Sequence, residues 1–276
     1  MSRRTPHAPI ANADGLPALH AEITDCRACP RLVTWREEVA QVKRRAYRDW
    51  AYWGRPVPGF GDPLAWLAIV GLAPAAHGAN RTGRIFTGDR SGDFLYASLH
   101  RQALANQAHS VHRDDGLALS EVYVTCPVRC APPDNKPTPA EIQTCAPFLD
   151  RELTLLPRLE GLLALGAIGW KASLRAMERL GVQLPTPRPA FGHGALFVPD
   201  GEGPWLLGCY HVSQQNTQTG RLTPAMMDAV LARARELHRA PPGTRAPAVA
   251  LADPIAGPEG PSGAPFAASR GRFAIE

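Results

Sequence analysis

The chain has 276 residues, 45% of them apolar. That is enough for one α/β domain with a sizeable core plus tails, and too apolar for a disordered polymer. No stretch approaches a membrane span, and the N-terminal MSRRTPHAPIANADGLPAL lacks the apolar segment of a secretion signal, so a soluble, cytoplasmic protein is expected. A net charge of +5 leans toward a polyanionic partner without excluding others, and six cysteines without a secretion signal argue against a disulfide framework.

In chain order, residues 1–15 read as a loose polar leader, residues 16–240 as one domain, and residues 241–276, rich in Pro, Gly and Ala, as a disordered tail. The domain opens with Cys26-Arg-Ala-Cys29-Pro30. Cys130 and Cys145 lie far downstream, the first in a loop after a strand and the second on a capped helix, so all four thiols can meet at one place. A tetrahedral zinc, a four-iron cluster and simple burial stay open on spacing alone. Cys126 and Cys209, within or at the ends of strand-like runs, read as packed or site-lining thiols.

The stretch from Lys43 to Arg55 interleaves five cations (Lys43, Arg44, Arg45, Arg48, Arg55) with Tyr47, Trp50, Tyr52 and Trp53. Cations there can neutralise phosphates, and the rings can stack on bases or anchor the segment in the core. An amphipathic helix end with solvated arginines is the competing reading.

Four short aliphatic runs, Trp66–Val70, Val122–Thr125, Gly161–Leu165 and Trp205–Cys209, predict buried parallel strands. Helical patterns cover Asp93–Gln107, Pro139–Leu156, Ala167–Leu180 and Pro224–His238; the second opens with Thr138 as N-cap, Pro139 at the first position and Glu141 closing a capping box. The alternation predicts a parallel sheet covered by helices on both faces, with function at the carboxyl ends of its strands. The first strand leads into a glycine-studded loop, residues 71–93, which is not a P-loop because no Gly-Lys-Ser/Thr follows its glycines. The last leads into the polar, acid-free segment from His211 to Arg221.

Five ordered motifs, CRACPRL, RDWAYWGRPVPGFGD, GLAPAAHGANRTGRIFTGDRSGDFL, VRCAPPDNKPTPAEI and HVSQQNTQTGRLT, resemble the uracil-DNA glycosylase superfamily, specifically its B-type (family 5) iron–sulfur enzymes. The resemblance runs from about Cys26 to His238. It implies a four-stranded parallel sheet flanked by helices and a [4Fe–4S] cluster on Cys26, Cys29, Cys130 and Cys145. It further implies a monofunctional enzyme that flips uracil out of DNA and hydrolyses its N-glycosidic bond. Phe86 matches the aromatic that stacks on the flipped base, and His211 the donor to uracil O2, where charge grows in the transition state.

Leu72-Ala73-Pro74 stands where better-known relatives carry the water-positioning acid or amide. Asp89 is the acid expected to act instead, with Asp93 assigned to capping the helix that follows. Asn135 matches a polar residue near the site. Cys126 replaces the asparagine that reads uracil's edge in A-type relatives, so loose discrimination, including excision of hypoxanthine, is expected. Val212 replaces a proline in the segment that enters the DNA. Gln214, Gln215 and Asn216 are candidates to fill the gap left by the flipped nucleotide, with Ser213 and Arg221 beside them as DNA contacts. DNA is the implied partner, and no obligate protein partner is evident. An iron–sulfur redox sensor that binds DNA without hydrolysis, and a zinc enzyme of another class, are the rival readings.

Overall fold

The computed structural model describes residues 15–241 and 244; the expected leader, apart from Gly15, and nearly all of the expected tail lie outside the described residues. Two helices precede the sheet, α1 (Gly15–Asp25) and α2 (Pro30–Val42). Then come β1 (Phe60–Gly61), β2 (Leu67–Val70), α3 (Ala79–Thr82), α4 (Arg90–Arg101), β3 (Val122–Thr125), α5 (Pro139–Thr154), β4 (Gly161–Leu165), α6 (Gly166–Arg179), β5 (Leu196–Phe197), β6 (Trp205–Cys209), α7 (Gln214–Gln218) and α8 (Pro224–Arg239).

The sheet has six strands in the order β1-β3-β2-β4-β6-β5. It is wider than the expected four. The parallel strands β3, β2, β4 and β6 form the centre, and β1 and β5 add two-residue antiparallel edges. Every residue of the four central strands is buried, as their uninterrupted apolar runs require when both faces are covered. One core lies against α4 and α8, the other against α5 and α6. Among the described residues no helix is long and apolar enough to cross a membrane.

α4 departs most from expectation, running Arg90–Arg101 rather than Asp93–Gln107. Gln102 caps its end and Ala103 turns to positive φ, a left-handed stop that no glycine marks in the sequence. α5 starts as expected, with Thr138 accepting from the Glu141 amide and Glu141 accepting from the Thr138 amide.

One ion pair is buried almost completely, between β3 and α5. Arg129, 1% exposed, donates to Glu152, 0% exposed, at 2.7 Å. The same carboxylate takes Thr125 Oγ1 at 2.5 Å, Tyr123 Oη at 3.2 Å and the Gly59 amide at 2.9 Å. The pair thus joins β3, α5 and the segment entering β1.

Removing one member strands the other without solvent, whereas replacing both with apolar groups does not. Glu152→Gln is therefore expected to cost roughly 3–5 kcal/mol, read as a lowered denaturant midpoint at unchanged slope. An Arg129→Met, Glu152→Leu double variant should recover much of that loss. A single variant as stable as the parent would contradict this account.

Candidate active site

The carboxyl ends of β2, β3 and β6 open onto a cavity of about 420 Å³ lined by Leu72, Ala73, Phe86, Asp89, Asn135 and His211, with Ser213, Gln214 and Gln215 at its edge. Three segments far apart in sequence supply it: the loop after β2, the 3₁₀ turn Pro133–Asn135 after β3, and the segment after β6. Of the residues expected at the base-binding and reacting positions, the structure gathers all but Cys126.

Phe86 and His211 both line the cavity, their rings tilted 42° to one another with centroids 6.3 Å apart. Phe86 adopts φ 50°, which an L-residue holds only when its surroundings enforce it. Gly71 lies behind its ring: a Cβ there would stand 2.8 Å from Phe86 Cζ and 3.0 Å from Cys126 Sγ. Cys126, expected at the base's edge, instead has no exposed surface and does not line the cavity. Burial pushes its thiol up to about 12, as suits an inert packing group.

Asp89 and Asp93 exchange structural parts. Asp89, not Asp93, is the N-cap of α4, its Oδ1 accepting from the Gly92 amide at 3.0 Å; Asp93 stands in the first turn, exposed. Gly92 and Ser91, weak helix formers, obscured this start. Asp89 still lines the cavity, so it caps the helix and faces the site at once. A Cβ on Gly78 would lie 1.9 Å from Asp89 Oδ2, so only glycine lets the loop pass this carboxylate. Burial lifts the Asp89 pKa above the usual carboxylate range; Asp93 adds to the rise, and the Gly92 and Ser91 amides and Arg81 oppose it.

Burial likewise lowers the His211 pKa, which keeps its imidazole neutral near pH 7, with a proton on one ring nitrogen. Asn216 is turned inward, its Nδ2 donating to the His211 carbonyl at 2.8 Å, so it braces the histidine rather than reaching outward. Gln214 and Gln215, on the first turn of α7, are exposed.

The basic segment is divided. Arg44, Arg45 and Arg48 are exposed, whereas Lys43 Nζ donates to the Arg48 carbonyl at 3.1 Å and Arg55 is ion-paired with Asp25. Its rings anchor rather than stand free: Trp53 packs on the core, Tyr52 bonds His77 at 3.1 Å, and Tyr47 and Trp50 pack against Arg81. Arg221 is exposed, with its guanidinium 4.8 Å from the Tyr210 ring centre. Sequence reasoning missed Arg81, Ile85 and Ser91; nothing in their spacing distinguishes them from loop filler.

Cys26, Cys29, Cys130 and Cys145 line a single, mostly apolar cavity between α2 and α5. Cys29 is the N-cap of α2, and burial raises its thiol pKa, with Glu141 and Cys26 adding to the rise and Arg36 opposing it. Buried Arg36 donates to Cys130 Sγ at 2.9 Å, and the Arg129 amide to Cys145 Sγ at 3.4 Å. Among the described residues no three His, Cys, Asp or Glu side chains form a ready single-ion site. The larger groove of about 870 Å³ between α5 and α6 gathers none of the expected site residues, and its Arg179 and Arg188 are paired with Asp150 and Glu178.

A six-stranded α/β sheet has its cavity at the strand ends, walled by an aromatic, a histidine and a half-buried acid, beside a surface carrying exposed arginines. The uracil DNA glycosylase superfamily profile matches residues 58–235, and the chain belongs to that superfamily. Within it, the chain is 57% identical over 220 residues to the type-5 uracil-DNA glycosylase of Mycobacterium bovis, covering 79% of this chain and 80% of the relative. It is 55% identical to that of Mycobacterium leprae over 226 residues (82% and 96%) and 53% identical to that of Thermus thermophilus over 215 residues (78% and 94%).

The Asp89 shift fixes a sign. A carboxyl raised in the folded state adds stability below its unfolded pKa of about 3.9 and loses it as pH rises through the folded value. Asn also caps helices well. Asp89→Asn should therefore raise the melting temperature at pH 8, with the advantage vanishing near pH 4. A variant less stable than the parent at pH 8 would contradict the assigned burial.

Proposed function

We propose that the protein excises uracil from DNA as a monofunctional glycosylase. The observation that carries this reading is the shared cavity: Phe86 and His211 line it with ring centroids 6.3 Å apart, and Asp89 lines the same space. A nucleotide flipped out of the duplex stacks its base on Phe86. Water attacks C1′ of the sugar, and the C1′–N1 bond breaks with its electron pair leaving on the base. Neutral His211 donates a hydrogen bond to the base oxygen where that charge accumulates, and Asp89, ionised, orients the water and stabilises the positive sugar. The water gives up a proton to solvent as its oxygen bonds to C1′, the departing uracil anion takes a proton from solvent, and the products are free uracil and an abasic site. None of the side chains lining the cavity is a lysine, so no amine stands ready for strand-cleaving lyase chemistry. Arg44, Arg45, Arg48 and Arg221 meet the backbone, and Gln214 and Gln215 approach the vacated stack.

Deaminated bases beyond uracil, hypoxanthine first, belong to the same proposal. The side of the pocket formed by Leu72, Ala73 and Ile85 is apolar, and stacking on Phe86 tolerates any flat base.

The four cysteines fit a [4Fe–4S] cluster in donor chemistry: four sulfurs around one apolar space, with Arg36 and the Arg129 amide directed at two of them. Such a cluster would cross-link α2 to the loop and helix that follow β3. Under single-turnover conditions His211→Ala should slow uracil release about a hundredfold while abasic-DNA affinity changes little. A parent protein that leaves uracil in place would overturn the function. Anaerobic analysis should find about four irons with matching sulfide per chain, lost in Cys130→Ser and retained in Cys209→Ser; zinc without sulfide would overturn the cofactor.

A further inference from the structure

Arg81 lies outside the residues already given a part in excision, yet it joins two of the regions the proposed function relies on. It sits on α3 and is only 3% exposed. Its guanidinium lies 3.9 Å from the Tyr47 ring centre and 4.1 Å from that of Trp50, both in the basic segment. Its Nε donates to the His77 carbonyl at 2.8 Å, and its Nη2 to the Gly88 carbonyl at 2.7 Å. Those carbonyls stand at the two ends of the stretch that holds Phe86, and Gly88 directly precedes Asp89. The backbone reinforces the link, with the Trp53 amide donating to the Arg81 carbonyl at 2.9 Å and the Gly54 amide to the Asn80 carbonyl at 3.0 Å.

We propose that Arg81 is a positioning residue for excision: clamped between Tyr47 and Trp50, it ties the base-stacking and acid-bearing loop to the segment that meets the DNA backbone. This rests on the glycosylase reading above. A guanidinium suits the role because it fills the corner between two rings set at 77° to one another while its fixed planar fork donates to two carbonyls, a geometry an ammonium does not hold. The same cation faces Asp89 across a cavity that Arg44, His77, Arg90 and Asp93 also line. Of these charged and titratable groups, Asp93 raises the Asp89 pKa and Arg81 lowers it. Loss of Arg81 therefore loosens the loop and removes one of the influences that keep Asp89 ionised.

The test compares parent, Arg81→Lys, Arg81→Ala and Trp50→Leu in single-turnover uracil excision across pH, alongside affinity for abasic DNA and thermal unfolding. Arg81→Ala and Arg81→Lys should cut the rate by about tenfold to a hundredfold, the scale of small misplacements at a reacting centre, while abasic-DNA affinity stays within about threefold. In Arg81→Ala the acid limb of the rate profile should move to higher pH, and free guanidinium ion should restore part of the rate where sodium chloride at equal ionic strength does not. Trp50→Leu, which leaves Arg81 in place, should show a smaller loss of the same kind, and it carries the test if Arg81→Ala does not fold.

Equal losses of rate and abasic-DNA affinity would make Arg81 a DNA contact and overturn the proposal. So would an unchanged rate, or a rate loss with neither a shifted limb nor rescue. An inactive parent protein sinks the glycosylase reading itself, whereas an active parent with indifferent variants sinks only this one.

Discussion

Arg129 and Glu152 meet at 2.7 Å with essentially no solvent, and the way the two halves of the molecule fit together follows from that pair. Each charge alone in that place would be intolerable, so β3, which supplies Thr125 and Tyr123, and α5, which supplies Glu152, must dock in one register. The chain between them, residues 126–138, is held at both ends. It carries Cys130 toward the thiol cavity and Asn135 toward the base-sized one. The Arg129 amide itself donates to Cys145, so the buried pair and the cysteine cavity share a residue. A cluster at that cavity would add a second clamp on the same connection, from α2.

The base-sized cavity is built against the grain of stability. Phe86 is held at positive φ, Asp89 is a carboxylate pushed toward its neutral form, and His211 is an imidazole pushed away from its charged one. Each of these departures works against the fold, although the Asp89 side chain also caps α4. In the mechanism we propose, they supply a flat surface for the base, a neutral donor for the departing charge and an acid beside a cationic sugar. The supporting contacts lie just behind. Asn216 braces His211, the Gly92 amide fixes Asp89, and Arg81 holds the stretch between.

Much of this was legible in the sequence, because buried parallel strands leave uninterrupted apolar runs. Val122–Thr125, Gly161–Leu165 and Trp205–Cys209 have the expected limits, and only Trp66 falls outside β2. The capping box of α5 is equally local. What failed depends on distance or on weak local signals. β1 and β5 are two residues each, too short for alternation to show. The aspartates at positions 89 and 93 are four residues apart with Ser and Gly between them, so composition alone could not choose the cap. The resemblance puts Cys126 at the position of an edge-reading asparagine, but it is packed against Gly71, on another strand's loop. Arg36, Arg81, Arg84 and Arg129 carry no local mark of burial in the sequence, yet all four are buried. Their partners lie elsewhere in the fold, as with Glu152 for Arg129 and Asp115 for Arg84.

The central claim is that a base enters between the loop after β2 and the segment after β6. Backbone hydrogen exchange measures this directly when the protein is bound to two duplexes differing at one nucleotide, a non-hydrolysable 2′-fluorinated deoxyuridine or thymidine. Both duplexes should protect the basic segment at residues 44–50. The uridine duplex alone should add protection at residues 71–91 and 211–217. Identical protection by the two duplexes, or uridine-specific protection confined to the groove between α5 and α6, would contradict the account.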